Sequence, residues 1–154
     1  MVEEGSPAPD FELQTDTGEI VRLSELRGRP VVLYFYPKNH TSGCTTQACG
    51  IRDAWSEFER AGAVVLGLSP DDVASHESFR ADYELPFTLL ADPDHKVAEA
   101  YGVWVQKSRS GRTYMGIART TFVIGPDGTV ENVMHDVKPA THAEDVLAVL
   151  GAAA

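Results

Sequence analysis

The run Pro30–Tyr36, PVVLYFY, has no polar break. A strand with one solvated face would alternate apolar and polar residues. This run does not, so it reads as a strand buried on both faces of a sheet. Ala63–Ser69 repeats the pattern. Between the two runs the period changes to helical. Cys44, Ala48, Ile51, Trp55 and Phe58 fall at i, i+4, i+7, i+11 and i+14 and make one buried stripe.

The remaining segments fit around this centre. Asp10–Gln14, a turn at Asp16-Thr17-Gly18 and Ile20–Leu23 read as an extended arm and hairpin. Pro37–Gly43 is a polar, turn-rich loop. Asp72–Tyr83 reads as a helix, Phe87–Leu90 as a short strand, and Asp94–Tyr101 as a helix ending at Gly102. Gln106–Gly116 is rich in Ser, Gly and basic residues and reads as a mobile loop, with Trp104 as its anchor or as a border of the active site. Arg119–Ile124 and Thr129–His135 are strands joined by the turn Gly125-Pro126-Asp127-Gly128. Thr141 reads as an N-cap, with Glu144 completing a capping box before a last helix. Early alternation of strand and helix with a late hairpin implies a mixed sheet covered on both faces. The expected architecture is an α/β, thioredoxin-like domain spanning residues 1–154. Its mixed central sheet is flanked by helices and carries an N-terminal hairpin extension. At this length about 68–70% of the unfolded surface can be buried, so a core forms without staples. No repeat or linker interrupts the chain apart from the short tail Ala152–Ala154.

Charge and cysteine usage narrow the function. Acidic residues outnumber basic ones 23 to 13, a formal charge of −10, and no Lys/Arg cluster interrupts the excess. Nucleic acid and anionic membranes are therefore poor partners. Met1-Val2-Glu3-Glu4-Gly5 has neither a basic start nor an apolar stretch after it, and no apolar run approaches the ~20 residues of a membrane helix. A cytoplasmic location is expected. In a reducing compartment the chain's two cysteines are catalytic, redox-active or metal-binding rather than a structural bridge.

Cys44 stands where a loop leaving a buried strand meets the start of a helix. Unpaired N–H groups and the helix dipole favour thiolate there. The alternative is a small hydrophobe on the buried stripe; Thr41, Gly43 and the helix start favour reactivity. Cys49 follows five residues on. On an intact helix that spacing puts the Cα atoms about 8.7 Å apart, beyond the roughly 7 Å a disulfide tolerates. If the two cysteines pair, the helix must first unwind. Thr45 and Thr46 are β-branched, and Gly50 costs about 1 kcal/mol relative to Ala inside a helix. Gly50 thus either weakens this turn so that it opens or allows close packing.

The segment Tyr34–Cys49, YFYPKNHTSGCTTQAC, resembles the active-site segment of peroxiredoxins. The superfamily pattern Pro-x-x-x-Thr-x-x-Cys falls on Pro37, Thr41 and Cys44, and the second cysteine at Cys49 resembles the bacterioferritin-comigratory, or Q, class. Ala118–Ile124 is similar to the strand carrying that family's active-site arginine, here Arg119. The similarity runs from about Gly5 to Leu150. It implies a peroxidase in which Cys44 attacks the terminal peroxide oxygen and Thr41 Oγ orients peroxide and thiolate. Arg119 would hold both with directional donors, Pro37 would pack over the sulfur, and the N–H of Cys44 or its neighbour would complete the donor set. It further implies that the Cys44 sulfenic acid condenses with Cys49 to a disulfide, that thioredoxin or a similar dithiol protein resets the enzyme, and that no flavin, haem or metal takes part. Thr41 has a competing role as a cap or turn hydroxyl, and Arg119 as a surface ion pair. Two departures stand out: Ser42 where the family commonly has Pro, and Asn39-His40 where it has one or two acidic residues. They bear on loop rigidity and local charge. His40 is either a solvated loop residue or a source of pH dependence near neutrality.

Thiol acidity alone would not make a peroxidase. For any thiol, lowering the pKa from ~8.5 to ~6 raises the thiolate fraction at pH 7 about thirtyfold. Intrinsic nucleophilicity falls roughly 10- to 18-fold, so the net gain is only about two- to threefold. The remainder must come from stabilising charge on the leaving oxygen. Two other readings compete. A thioredoxin-type oxidoreductase would carry Cys-x-x-Cys, and a Pro where Thr120 stands. A metal chaperone would use Cys44, Cys49 and a histidine such as His135, a weak ligand signature. His76, His95 and His142 fall in helices expected to be exposed, or at their caps, and receive no role. The class resemblance implies a monomer, with a dimer through the active-site side as the alternative. The choice between hydrogen peroxide and organic hydroperoxides depends on pocket shape. Neither the Gly-Gly-x-Gly nor the C-terminal Tyr-Phe pattern that accompanies overoxidation sensitivity in other peroxiredoxins is present, so the resemblance implies a fairly robust enzyme.

Overall fold

The computed structural model of the chain describes residues 1–153, with side chains described to Gly151; Ala154 of the alanine tail lies outside it. Strand β3, Val31–Phe35, lies inside the main sheet with every residue buried. β4, Val64–Ser69, runs parallel to it, with Val31 opposite Val64 and Phe35 opposite Leu68. β8, Thr120–Ile124, pairs antiparallel on the other side, with Phe35 opposite Thr120. Beyond β4 comes β5, Thr88–Ala91, again parallel. β9, Val130–Met134, closes the edge beyond β8. β1, Glu12–Thr15, and β2, Ile20–Arg22, form the N-terminal hairpin.

That hairpin is more than an extension. β1 pairs with β5, and the sheet has seven strands in the order β2-β1-β5-β4-β3-β8-β9. Asp16 at its turn is buried and takes both carboxylate oxygens to Arg80 at 3.0 Å, while also accepting from Leu89 N at 3.1 Å. Pairing and hydrogen bonding together satisfy this buried carboxylate.

The unbroken apolar run of β3 is explained by two cores. Val32, Tyr34 and Tyr36 face one cluster, which also contains Ile51, Phe58, Phe79 and Val146. Val31, Leu33 and Phe35 face the other, with Val97, Ala98 and Tyr101. The first core is covered by α1, Ser42–Asp53, α2, Trp55–Arg60, α3, Val73–Tyr83, and α5, His142–Ala153. The second is covered by α4, Lys96–Tyr101. The stripe from Cys44 to Phe58 is buried as expected except at the partly exposed Trp55, but the helix breaks at Ala54 (φ −101°, ψ 15°). Nothing in the local sequence marks that break.

Residues 106–116 are not a mobile loop. They lie within a separate two-stranded sheet, β6 Trp104–Arg109 and β7 Arg112–Ile117. Its turn is Ser110-Gly111, both at positive φ (53° and 78°), the two-residue geometry whose twist matches the flanking strands. Trp104 anchors its base by stacking on His95, ring centroids 4.0 Å apart and nearly parallel. At the last helix Thr141 stands in the expected place, but its hydroxyl bonds the Asp145 carboxylate at 3.0 Å rather than closing a box with Glu144. No helix among the described residues is long and apolar enough to cross a membrane.

Candidate active site

α1 begins where the loop leaving β3 turns back over the sheet. Thr41 is its N-cap residue in an extended conformation, but its side chain accepts no helix N–H. Its hydroxyl donates instead to Lys38 O at 2.7 Å. The first-turn N–H groups are therefore left without a side-chain cap, and the Thr41 oxygen keeps its lone pairs. Of the two roles open to Thr41 the turn hydroxyl is occupied, and it leaves the acceptor side free.

Cys44 sits in that first turn, 1% exposed. Arg119, between β7 and β8, reaches across and donates from Nη2 to Cys44 Sγ at 3.2 Å. Its Nη1 donates to Gln47 Oε1 at 2.9 Å. A surface ion pair is thereby replaced by a forked contact of the guanidinium with the sulfur and a buried amide. Gly43 makes the approach feasible: a Cβ there would lie 2.9 Å from Arg119 Nη2 and 3.5 Å from Pro139 Cγ. The N-terminal end of α1 and the Arg119 guanidinium thus both meet at the sulfur. Pro37 is half-buried in the same loop.

Asn39, one of the departures, fixes this loop to α3. It is buried; Tyr36 OH donates to its Oδ1 at 2.6 Å, and its Nδ2 contacts Ser75 Oγ at 3.1 Å and His76 Nδ1 at 2.9 Å. Its backbone N donates to Asp71 at 2.9 Å. His40 is not merely solvated. It holds the left-handed conformation (φ 64°), bonds Asp82 through Nε2 at 2.8 Å, and lays its ring against Phe79. Together these bonds tie the loop to α3 and to Asp71 just before it.

His76 and His142, expected on exposed faces, are both fully buried. His142 opens α5. Its Nδ1 lies 3.1 Å from Gln47 Nε2, and its Nε2 lies 2.8 Å from Thr121 Oγ1. Burial pushes its pKa down to about 4; Asp145 opposes the shift and Arg119 adds to it. Burial also lowers His76. The helical spacing of Cys44 and Gln47, three residues apart, places both on one face of α1 and is the signal that finds Gln47; no sequence signal marks His142. Lys107 is a further residue that the sequence did not flag. Its stem crosses Gly116, where a Cβ would lie 3.3 Å from Lys107 Cδ. Burial, then the charge of Arg119, lower its pKa, and Cys44 raises it.

The lowered His142 value has a definite consequence for stability. Between pH 6.5 and about 4 the unfolded chain takes up a proton that the folded chain resists. The stability this group contributes is present above pH 6.5 and is lost as the pH drops through this window, on the order of 3 kcal/mol in all. Denaturant midpoints of the protein and of His142→Asn, measured at pH 7.0 and 4.5, should differ in slope. The variant should lose less stability on acidification.

Cys49 is half-buried further along α1, and both cysteines are free thiols on one continuous helix. Pairing therefore requires unwinding. Among the described residues no three His, Cys, Asp or Glu side chains gather into a metal-ligating group, so Cys44, Cys49 and His135 are not brought together as one.

Comparison with known proteins places the chain in a family. The profile of the AhpC/TSA family matches residues 5–133. Peroxiredoxin Bcp of Bacillus subtilis is 46% identical over 149 residues, covering 97% of this chain and 95% of that protein. Peroxiredoxin Bcp of Escherichia coli is 47% identical over 143 residues, covering 93% and 92%. The bacterioferritin comigratory protein of Xanthomonas campestris, solved as trapped intermediate and ligand complexes to study alkyl peroxide reduction, superposes with a TM-score of 0.92 at 36% identity. That match covers 98% of this chain and 99% of the other.

Proposed function

This chain belongs to the AhpC/TSA family and is a peroxiredoxin, a thiol peroxidase, and from that premise we propose that Cys44 attacks the peroxide and Cys49 resolves the product. The observation that carries the assignment is the 3.2 Å contact from Arg119 to a buried sulfur at the uncapped start of a helix. The Cys44 thiolate attacks the terminal oxygen of R–O–O–H. An S–O bond forms, the O–O bond breaks, and the sulfur is oxidised to a sulfenic acid while RO⁻ leaves and takes up a proton as ROH. Charge grows on the departing oxygen as the bond lengthens. Arg119 and the first-turn N–H groups are donors already oriented toward that charge. Thr41 Oγ1, its proton engaged by Lys38, accepts the peroxide O–H. Pro37 shields the sulfur from water.

Cys49 then attacks the Cys44 sulfur, an S–S bond forms, and the hydroxide leaves as water. Thioredoxin or a similar dithiol protein reduces the disulfide and is itself oxidised; a reducing compartment such as the cytoplasm supplies it. Hydrogen peroxide and organic hydroperoxides are the substrates, the latter supported by the alkyl peroxide activity of the Xanthomonas relative. The test is steady consumption of both hydroperoxides by catalytic protein in the presence of thioredoxin and its reductase. Consumption no faster than by the reductant alone would refute the reading.

The unwinding step rests on Gly50. A Cβ there would lie 3.9 Å from Ala143 Cβ, an ordinary contact, so close packing does not require glycine. Gly50→Ala should stabilise the helical form of α1 by about 1 kcal/mol. Disulfide formation should slow about fivefold, with the first oxidation unchanged. Stopped-flow fluorescence separates the two steps, and equal rates for both proteins would remove Gly50 from the account.

A further inference from the structure

Arg119 reaches Cys44 from one end of its guanidinium while the other end rests on Gln47. Gln47 is itself 1% exposed, so its amide has no water to turn toward. A guanidinium has donors only, so the Gln47 oxygen must face Arg119 and its NH₂ must face His142. His142 Nδ1, 3.1 Å away, is therefore an acceptor without a proton. The ring's one proton sits on Nε2 and is donated to Thr121 Oγ1 at 2.8 Å. Each bond in the chain Thr121–His142–Gln47–Arg119–Cys44 fixes the polarity of the next.

We propose that His142 is a positioning residue for peroxide reduction: through Nδ1 it locks the Gln47 amide in the one orientation that aims Arg119 at Cys44. The proposal rests on the reading of Cys44 as the attacking sulfur. Without an acceptor at this point the Gln47 amide is free to turn its NH₂ toward Arg119, placing donor against donor. The guanidinium then loses its second contact. A protonated His142 would do the same, and its pKa, pushed down to about 4, keeps the ring neutral near pH 7. His142 never touches substrate, and it comes from α5, a different element from both cysteine and arginine.

Two amides that differ by one methylene separate this role from a structural one. In His142→Asn the side-chain oxygen falls near the position of Nδ1 and accepts from Gln47. In His142→Gln the amide reaches the position of Nε2, meeting Thr121 but not Gln47. A misplacement of about 1 Å in a catalytic group costs about a hundredfold, and a loosened guanidinium less. His142→Gln should therefore slow oxidation of Cys44 by hydrogen peroxide about tenfold, and His142→Asn should recover most of that loss. The rates are read by stopped flow on fully reduced protein, with thermal midpoints taken in parallel.

The same pair is then placed on Arg119→Met. If His142 acts through Arg119, His142→Gln has no further effect there. Equal rates for the Asn and Gln variants, or a tenfold loss that persists without Arg119, would overturn the proposal. The unsubstituted protein is the internal check. If its own Cys44 is not rapidly oxidised, the peroxidase assignment of Cys44 fails and this inference falls with it. If it is, the outcome for the variants bears on His142 alone.

Discussion

Cys44→Ser is expected to abolish hydroperoxide consumption, a loss of more than about 10⁴-fold, because removing the nucleophile leaves the remaining groups nothing to assist. The side chain is buried in the first turn of α1 and serine is nearly isosteric, so the fold should survive. Its partner variant behaves differently. Cys49→Ser should retain the first oxidation at full rate and then stop, with the Cys44 sulfenic acid accumulating and trapped by dimedone as one adduct per chain. Both outcomes are read by peroxide consumption and by intact mass. A Cys44→Ser protein that still turned over hydroperoxide, or a Cys49→Ser protein slow in the first step, would exchange the assigned roles.

Arg119→Met should slow the first oxidation about 10²- to 10³-fold, the usual consequence of removing one preorganised donor from a developing negative charge. Arg119 contributes more than charge. One end meets the sulfur at 3.2 Å and the other meets Gln47 at 2.9 Å, a fork that a lysine ammonium does not reproduce. Arg119→Lys should therefore recover less than about a tenth of the lost rate. Second-order rate constants from stopped flow on reduced protein decide this. A lysine variant close to the unsubstituted rate would mean that charge alone suffices and that the fork is incidental. Gly43 belongs to the same argument: any larger residue there pushes on the guanidinium.

Much of this arrangement is legible in the sequence because it depends on local patterns. Pro30–Tyr36 and Ala63–Ser69 lack polar breaks, and the structure buries both sides of β3 between the two cores. Cys44 and Arg119 were identified by the segments around them, and the fold brings them into contact across 75 residues of chain. The hairpin β6–β7 is hard to read because its apolar residues come in adjacent pairs, Trp104-Val105 and Tyr114-Met115, rather than alternating with polar ones, and most of both strands is exposed or half-buried. Its only local signal is the Ser110-Gly111 turn. The buried histidines give no local signal for a related reason. Polar residues on helices read as solvent-facing, yet a polar group goes inside whenever its partners come with it. Asn39 and Ser75 accompany His76; Gln47 and Thr121 accompany His142. Those partners come from other elements, so no window of sequence contains the pairing. Asn39 and His40 illustrate the same limit, since their partners on α3, Ser75, His76 and Asp82, lie 36 to 42 residues away along the chain.

Rapid-quench intact mass follows Cys44 and Cys49 through the first turnover. Fully reduced protein is mixed with about one equivalent of hydrogen peroxide and trapped at millisecond times in denaturant containing a thiol alkylator. Both alkylation sites should be lost fast, together with a mass two hydrogens below the reduced chain, the Cys44–Cys49 disulfide. Survival of both thiols for as long as an unactivated cysteine survives in the same peroxide would contradict the peroxidase assignment of Cys44.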